Sequence, residues 1–338
     1  MNENVTPDTD LLYEVRDGIG RIIFNRPQAR NSLTFGMYER LAAICEAAAD
    51  DRGLKVLILS GAGDKAFAAG TDINQFRAFN TPQDAIGYEV KDGIGRVTFN
   101  RPQARNALTF AMYERLVQIC EAANGDRSLK ALILTGQGDK AFAAGTDINQ
   151  FRAFKTPQDA LDYESKLDRI LSAVEACRVP TIAAIAGACT GGGAGIAACC
   201  DLRIGTRTAK FGFPIARTLG NCLSAANIGR LSALIGATRL KEIIFTARLI
   251  EAEEAANIAL LHEVVEDLPA LERRADELAR LIAGHAPLTL RATKQALLRA
   301  QPKPAEDEDL ILMCYQSQDF REGMDAFLNK RQPQWTGE

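Results

Sequence analysis

Residues Tyr13–Gly87 and Tyr88–Asp162 of this 338-residue chain align without a gap at an offset of 75 residues. NRPQARN fills Asn25–Asn31 and again Asn100–Asn106, and DKAFAAGTDINQFRAF fills Asp64–Phe79 and again Asp139–Phe154. The differences are mild: Ile22 against Val97, Ser60 against Thr135, Gly36 against Ala111. Volume and polarity are kept, so each copy reads as a unit able to fold. Two units are too few for a solenoid, which needs about three or more to enclose a core. The chain after Asp162 does not repeat, so the second copy has to be completed by the C-terminal half and the first is an appendage. The first copy carries an apolar stripe, Leu33, Met37, Leu41 and Ile44, that calls for a partner surface. It is loosely folded, stacked as an extra layer, or swapped into another subunit.

Each copy reads as strand, strand, helix, strand, loop. In the second, Arg96–Asn100 is β-prone, and Thr109 caps a helix with Leu108, Met112, Leu116 and Ile119 on one face. Lys130–Thr135 is a strand of the buried type and Gly136–Gly145 a loop of small residues. Thr156-Pro157 opens a further helix. Later helices are expected at Asn227–Ile235, Leu240–Phe245, Glu251–Leu261, Ala270–Ala283 and Leu288–Ala300, then a Pro302/Pro304 spacer and a last helix over Glu306–Asn329. Strand-containing units followed by helices imply an α/β core with a helical extension.

Charge and cysteine usage narrow the function classes. The net charge of −3 is mixed along the chain with no basic stripe, which argues against a nucleic-acid partner. The polar N-terminus is not a signal or transit sequence. Eight cysteines without a CxxC pair or a His/Cys cluster read as reduced thiols in a cytoplasmic protein, with no metal site.

Pro180–Asp201, PTIAAIAGACTGGGAGIAACCD, has no charged side chain before Asp201. Thr181–Ala186 reads as a strand and Ala194–Cys200 as a small-residue helix, with Gly191–Gly193 between them. Backbone N–H groups at such a helix start have no intrahelical partner and suit a developing oxyanion. A glycine-rich packing turn reads from the same residues. The length also admits a membrane span, which Pro180 and the glycines oppose.

Taken together, Asp139–Ile148, Ala186–Asp201, Lys210–Pro214 and Arg321–Arg331 resemble the crotonase (enoyl-CoA hydratase/isomerase) superfamily in order and spacing. The resemblance implies a spiral of ββα units over 88–283, a helical oligomerisation region over 284–338, a polar tail at 1–12 and the duplicated unit at 13–87. It implies a homotrimer or hexamer acting on acyl-CoA, with no separate cofactor because CoA is part of the thioester substrate, and no membrane. It also implies two backbone donors that polarise the thioester carbonyl, Thr146 and Gly192, with little demand on the Thr146 side chain. Ala143, Ala144, Gly145, Asp147, Ile148 and Gly191 then flank the substrate. Ala104 and Arg105 lie near the CoA phosphates, and Phe327 and Lys330 reach a neighbouring subunit's CoA. Asp147 reads equally as a turn cap.

The two glutamates of a hydratase in this family fall at Gly195 and Ile215 here, and no Asp or Glu occurs between Asp201 and Glu242. Hydration, isomerisation, decarboxylation and thioester hydrolysis all remain open, as does an acyl-CoA-binding pseudoenzyme without turnover. Arg217, Thr218, Asn221 and Cys222 are the polar residues of the matching pocket segment: Arg217 can take an acyl carboxylate, and Cys222 is a nucleophile or an inert thiol. Tyr163 and Glu164 are either acid–base groups or part of an exposed helix face. His262 and His285 are read as surface or packing residues.

Overall fold

The computed structural model describes residues 10–51, 53–70, 85–301 and 307–337. Thr71, the first copy's counterpart of Thr146, lies outside the described residues, as do the polar stretch through Thr9, the Pro302/Pro304 spacer and Glu306. The chain divides into two compact units, Met1–Asn80 and Thr81–Glu338. Among the described residues no helix is long and apolar enough to cross a membrane.

The first unit begins with β1 (Leu11–Arg16) and β2 (Ile19–Phe24), an antiparallel hairpin. Its turn is Asp17-Gly18, both at positive φ, 54° and 77°. Asp-Gly is the pair that such a turn favours. α1 (Phe35–Asp50) starts where the Thr34 side chain accepts the Met37 N–H at 3.2 Å, and β3 (Val56–Gly61) adds parallel to β2. Leu11, Ile22, Phe24 and Met37 form the core, with Leu33, Leu41 and Ile44 packed against it. The apolar stripe thus finds its partner surface in its own sheet. Leu11, within the stretch 1–12 read as a polar tail, is buried and begins β1.

The second unit repeats this module as β4 (Ile86–Lys91), β5 (Ile94–Phe99), α2 (Phe110–Gly125) and β6 (Ala131–Gly136). The register is the same, Tyr88 opposite Val97 as Tyr13 is opposite Ile22. Leu108, Met112, Leu116 and Ile119 are buried together, as their spacing predicts. There follow β7 (Ala141–Ala143), α3 (Pro157–Glu175), β8 (Thr181–Ile185), β9 (Ala188–Thr190), α4 (Gly192–Cys199), β10 (Leu202–Thr206) and β11 (Lys210–Gly212). β6, β8 and β10 enter a six-stranded sheet, and β7, β9 and β11, which follow them in the chain, enter a four-stranded one. Each step along the chain thus advances both sheets by one parallel strand, which makes the core a spiral.

The C-terminal part is α5 (Ile215–Thr218), α6 (Ala225–Ile235), α7 (Ala237–Thr246), β12 (Ile250–Glu251), α8 (Ala252–Asn257), β13 (Glu263–Val265), α9 (Leu268–Ala283), α10 (Pro287–Ala300), α11 (Glu308–Tyr315) and α12 (Gln318–Leu328). Four expectations change. Gly136–Gly145 contains β7, and β9 stands between the strand and helix expected around Gly187. Three-residue strands are too short for a two-residue period to show. The helix expected over Glu251–Leu261 ends at Asn257, before Ala259 turns to φ 58°. The last helix is two, because Ser317 accepts the Phe320 N–H at 3.0 Å and starts α12 afresh.

The repeated NRPQARN motif has a mechanical explanation. Asn106, fully buried at φ 55°, accepts the Arg101 N–H at 3.0 Å and donates to the Gln137 and Ala141 carbonyls at 3.2 and 2.7 Å. Asn31 makes the same clamp on Arg26, Ala62 and Ala66 at 3.0, 2.9 and 2.7 Å. Asn suits this left-handed position, and its amide satisfies backbone groups that water does not reach. Asn106→Ala is expected to cost about 2–4 kcal/mol in urea denaturation, since the buried Ala141 carbonyl and two part-buried backbone groups lose their partner. A loss below about 1 kcal/mol would mean that water replaces the amide.

Candidate active site

Two glycine turns meet in the second unit. The chain leaves β7 through Ala144, Gly145 and Thr146, and leaves β9 through Gly191 into α4. Gly145 has φ 97° and Gly191 φ 52°, and a Cβ on Gly191 would lie 3.4 Å from the Gly145 Cα. Only glycine permits this approach at these angles. Leu108 holds the first turn from the side, donating to the Gly145 carbonyl at 2.8 Å and accepting the Asp147 N–H at 2.8 Å. That ladder skips the Thr146 N–H. Among the described residues, the Thr146 and Gly192 N–H groups donate to no protein atom. Gly192 is the first residue of α4, where no intrahelical acceptor exists.

Both turns line a cavity of about 620 Å³ whose described lining residues belong to the second unit. Ala104, Arg105, Ala144, Gly145, Thr146, Asp147, Ile148, Gly191, Gly192, Asn221, Cys222 and Phe327 stand on its wall. Ala143, Arg217 and Lys330 do not. Ala143 is fully buried within β7. Arg217 is exposed on α5, because Ile215, two residues earlier on that helical turn, faces inward. Lys330 follows α12 with φ 54°.

Asp147 does cap its turn, accepting the Asn149 N–H at 3.1 Å, and it also pairs with Arg101 at 2.9 Å. Arg101 donates on to the Ala107 carbonyl, so one guanidinium ties two walls of the cavity. Arg105 is exposed at the wall and makes no ion pair among the described residues. The Cys222 thiol donates to the Leu310 carbonyl at 3.7 Å. Hydrogen bonding with Cys314, then burial, push its pKa up, which keeps it a thiol and a poor nucleophile. His262 accepts the Arg203 N–H at 3.2 Å, and neither histidine reaches the cavity. Among the described residues no group of three His, Cys, Asp or Glu side chains is placed to hold a metal ion.

The Thr146 side chain has a task that the sequence reading did not give it. Its hydroxyl lies 2.9 Å from the Tyr113 hydroxyl and 2.9 Å from that of Tyr163. Both phenols are buried, and burial raises their pKa values, so both stay protonated. The Tyr113 oxygen sits over Gly192: a Cβ there would be 1.9 Å from it. Tyr113 carried no signal in the sequence and lay outside the apolar face read for its helix.

Tyr163 and Glu164 do not lie on an exposed helix face. Both are buried on α3, and both line the cavity with Leu167 and Leu171. Glu164 is 2% exposed. Its Oε1 accepts the Tyr315 hydroxyl, and its Oε2 has no hydrogen-bond partner among the described residues. Burial pushes its pKa up to about 8, against the Tyr315 hydrogen bond and with help from the Asp168 and Asp307 charges. Gly195 and Ile215 also line the cavity, and the space beside Gly195 is filled by Leu171, 3.3 Å from where a Cβ would lie.

Known proteins share this architecture. A family model described as enoyl-CoA hydratase/isomerase matches residues 89–338, and another of the same description matches residues 19–89. The short-chain-enoyl-CoA hydratase of Clostridium acetobutylicum is 34% identical over 247 residues, covering 71% of this chain and 94% of that protein. The crotonyl-CoA hydratase of Syntrophomonas wolfei is 33% identical over 251 residues, covering 72% and 94%. The crystal structure of an enoyl-CoA hydratase/carnithine racemase from Magnetospirillum magneticum superposes with a TM-score of 0.62 at 36% identity, covering 75% of this chain and 96% of that one. The spiral of paired parallel strands, its facing glycine turns and these relatives together place the chain in the enoyl-CoA hydratase/isomerase family of the crotonase superfamily.

Proposed function

We propose that this chain is an acyl-CoA-processing enzyme that stabilises a thioester enolate with the Thr146 and Gly192 N–H groups. The observation that carries this reading is the pair of unpartnered N–H groups on two facing glycine turns in a cavity wall. Donors fixed before the substrate arrives need no reorganisation as negative charge develops on the carbonyl oxygen. The CoA phosphates would meet Arg105 beside Ala104, and the adenine and pantetheine arm the backbone around Ala143–Ile148. Phe327 and Lys330 would complete a neighbour's CoA site in a trimer or hexamer. Gly195 and Ile215 offer no acid–base group, so the reaction differs from ordinary two-carboxylate hydration. A pseudoenzyme that only binds acyl-CoA is disfavoured by Glu164, a buried carboxyl group on the cavity wall.

The test is Thr146→Pro, which removes one N–H and leaves the Leu108 ladder its own partners. Turnover of a short acyl-CoA is expected to fall about 10²–10³-fold, with a marked loss of affinity in calorimetry. Deleting Met1–Asn80 is expected to leave both unchanged, since the described residues that line the cavity belong to the second unit. A folded Thr146→Pro protein with unaltered affinity and turnover sinks the assignment.

A further inference from the structure

We propose that Glu164 is the acid–base residue of this site, and that it moves one proton between two carbons of a bound acyl chain instead of adding water. The proposal rests on the enolate reading above and supplies its missing chemistry.

The placement of Glu164 is hard to explain structurally. A buried carboxyl group is ordinarily paired with a cation or fully hydrogen-bonded. Glu164 has one side-chain hydrogen bond, from Tyr315, and a buried oxygen with no partner among the described residues, and only the Ser224 backbone N–H otherwise favours its charged form. Its charged neighbours are Asp168 and Asp307, of its own sign. Arg230 is committed elsewhere, to Asp168 at 3.3 Å and Glu175 at 3.0 Å. Glu164 follows Tyr163, whose hydroxyl meets the Thr146 side chain. Glu164, Thr146 and Gly192 thus line one cavity.

Hydration needs one group to activate water and another to deliver a proton to the α-carbon. With one carboxyl group, a reaction that returns the same proton is the better fit. For a 3-enoyl thioester, the Glu164 carboxylate takes a proton from C2. The C–H electron pair becomes the C1=C2 bond, and the carbonyl π pair moves onto the oxygen facing Thr146 and Gly192. The proton then returns to C4. It uses the C3=C4 pair, while C2=C3 forms and the carbonyl is restored. No water, oxidant or further reactant enters.

The groups that set the titration of Glu164 are Tyr163 and Asp168 of its own helix, Tyr113 of α2, Cys222, and Asp307 and Tyr315 at α11. All are acidic or neutral, and burial acts in the same direction, so the carboxylate base forms only as pH rises toward about 8. The Tyr315 hydrogen bond and the Ser224 backbone N–H oppose this shift.

The experiment uses the full chain. Calorimetry reads the affinity for a short saturated acyl-CoA, mass spectrometry reads exchange of its C2 hydrogens in D₂O, and absorbance reads conversion of a 3-enoyl-CoA to the 2-enoyl isomer. The unaltered protein is expected to bind, exchange and isomerise, with a rate that rises with pH. Glu164→Gln is expected to bind as before and exchange about 10²–10⁴-fold more slowly. Tyr315→Phe is expected to move the rate–pH profile to higher pH, a change that a merely structural role would not produce. Binding with undiminished exchange in Glu164→Gln overturns the proposal. Binding without exchange in the unaltered protein overturns it and leaves the enolate-site reading standing, whereas absence of binding overturns both. Should Glu164→Gln not fold, an unmoved profile in Tyr315→Phe overturns the proposal by itself.

Discussion

Hydration of a short trans-2-enoyl-CoA is expected to run about 10²–10⁴-fold below the rate of a site with two placed carboxylates, the usual loss when one acid–base group is missing. Gly195 and Ile215 present no proton-transferring atom to the cavity, and Glu164 cannot both activate water and protonate carbon from one position. Restoring the acid at 195 alone is expected to fail. A Cβ there would already lie 3.3 and 3.5 Å from the two methyl groups of Leu171, so Leu171 has to give way before a glutamate fits. Gly195→Glu combined with Leu171→Ala is the variant expected to gain hydration. It does so at about 2–5 kcal/mol of stability, because Leu171 is buried. Loss of the enoyl absorbance measures each protein. Efficient hydration by the unaltered chain would falsify this account of the two positions.

Gly192→Ala is expected to produce the second large effect. Its Cβ would come within 1.9 Å of the Tyr113 hydroxyl, on a ring that is 1% exposed and packed in the main core. Neither can yield without moving the α4 start or breaking the contact between Tyr113 and Thr146. Overpacking of this kind costs about 1–3 kcal/mol, and turnover should fall about 10²–10³-fold as one of the two N–H groups proposed as oxyanion donors shifts. Tyr113→Phe removes the colliding oxygen and leaves the ring carbon 3.2 Å away, a contact relieved by a few tenths of an ångström. The double variant should therefore be more stable than Gly192→Ala alone, with a coupling of about 1–3 kcal/mol in urea denaturation. Additivity within about 0.5 kcal/mol would show that the added methyl group is absorbed elsewhere.

Much of the site was legible because its parts are local. The glycines that open the turns at Gly145 and Gly191, the Thr109 cap and the Asp147 turn are each written in a few consecutive residues. Tyr163 and Glu164 read equally as acid–base groups or as part of an exposed helix face. Their environment comes from Tyr315, 151 residues further along, and from Thr146 in another element. No periodicity encodes a contact of that range.

The duplication separates the two kinds of information. The sequence by itself determined the module: the Asp-Gly hairpin, the capped helix and the asparagine clamp occur in both copies with the same angles and partners, because short-range sterics and hydrogen bonds decide them. Tertiary structure decided what each module became. Leu134 is fully buried in β6, which pairs with both β5 and β8, whereas its counterpart Leu59 is 41% exposed in β3, which among the described residues pairs only with β2. The same side chain in the same strand register is core in one place and surface in the other. Burial depends on which distant strands and helices arrive to cover a face, and only the second copy is followed by the β8, α4 and α9 segments that do so.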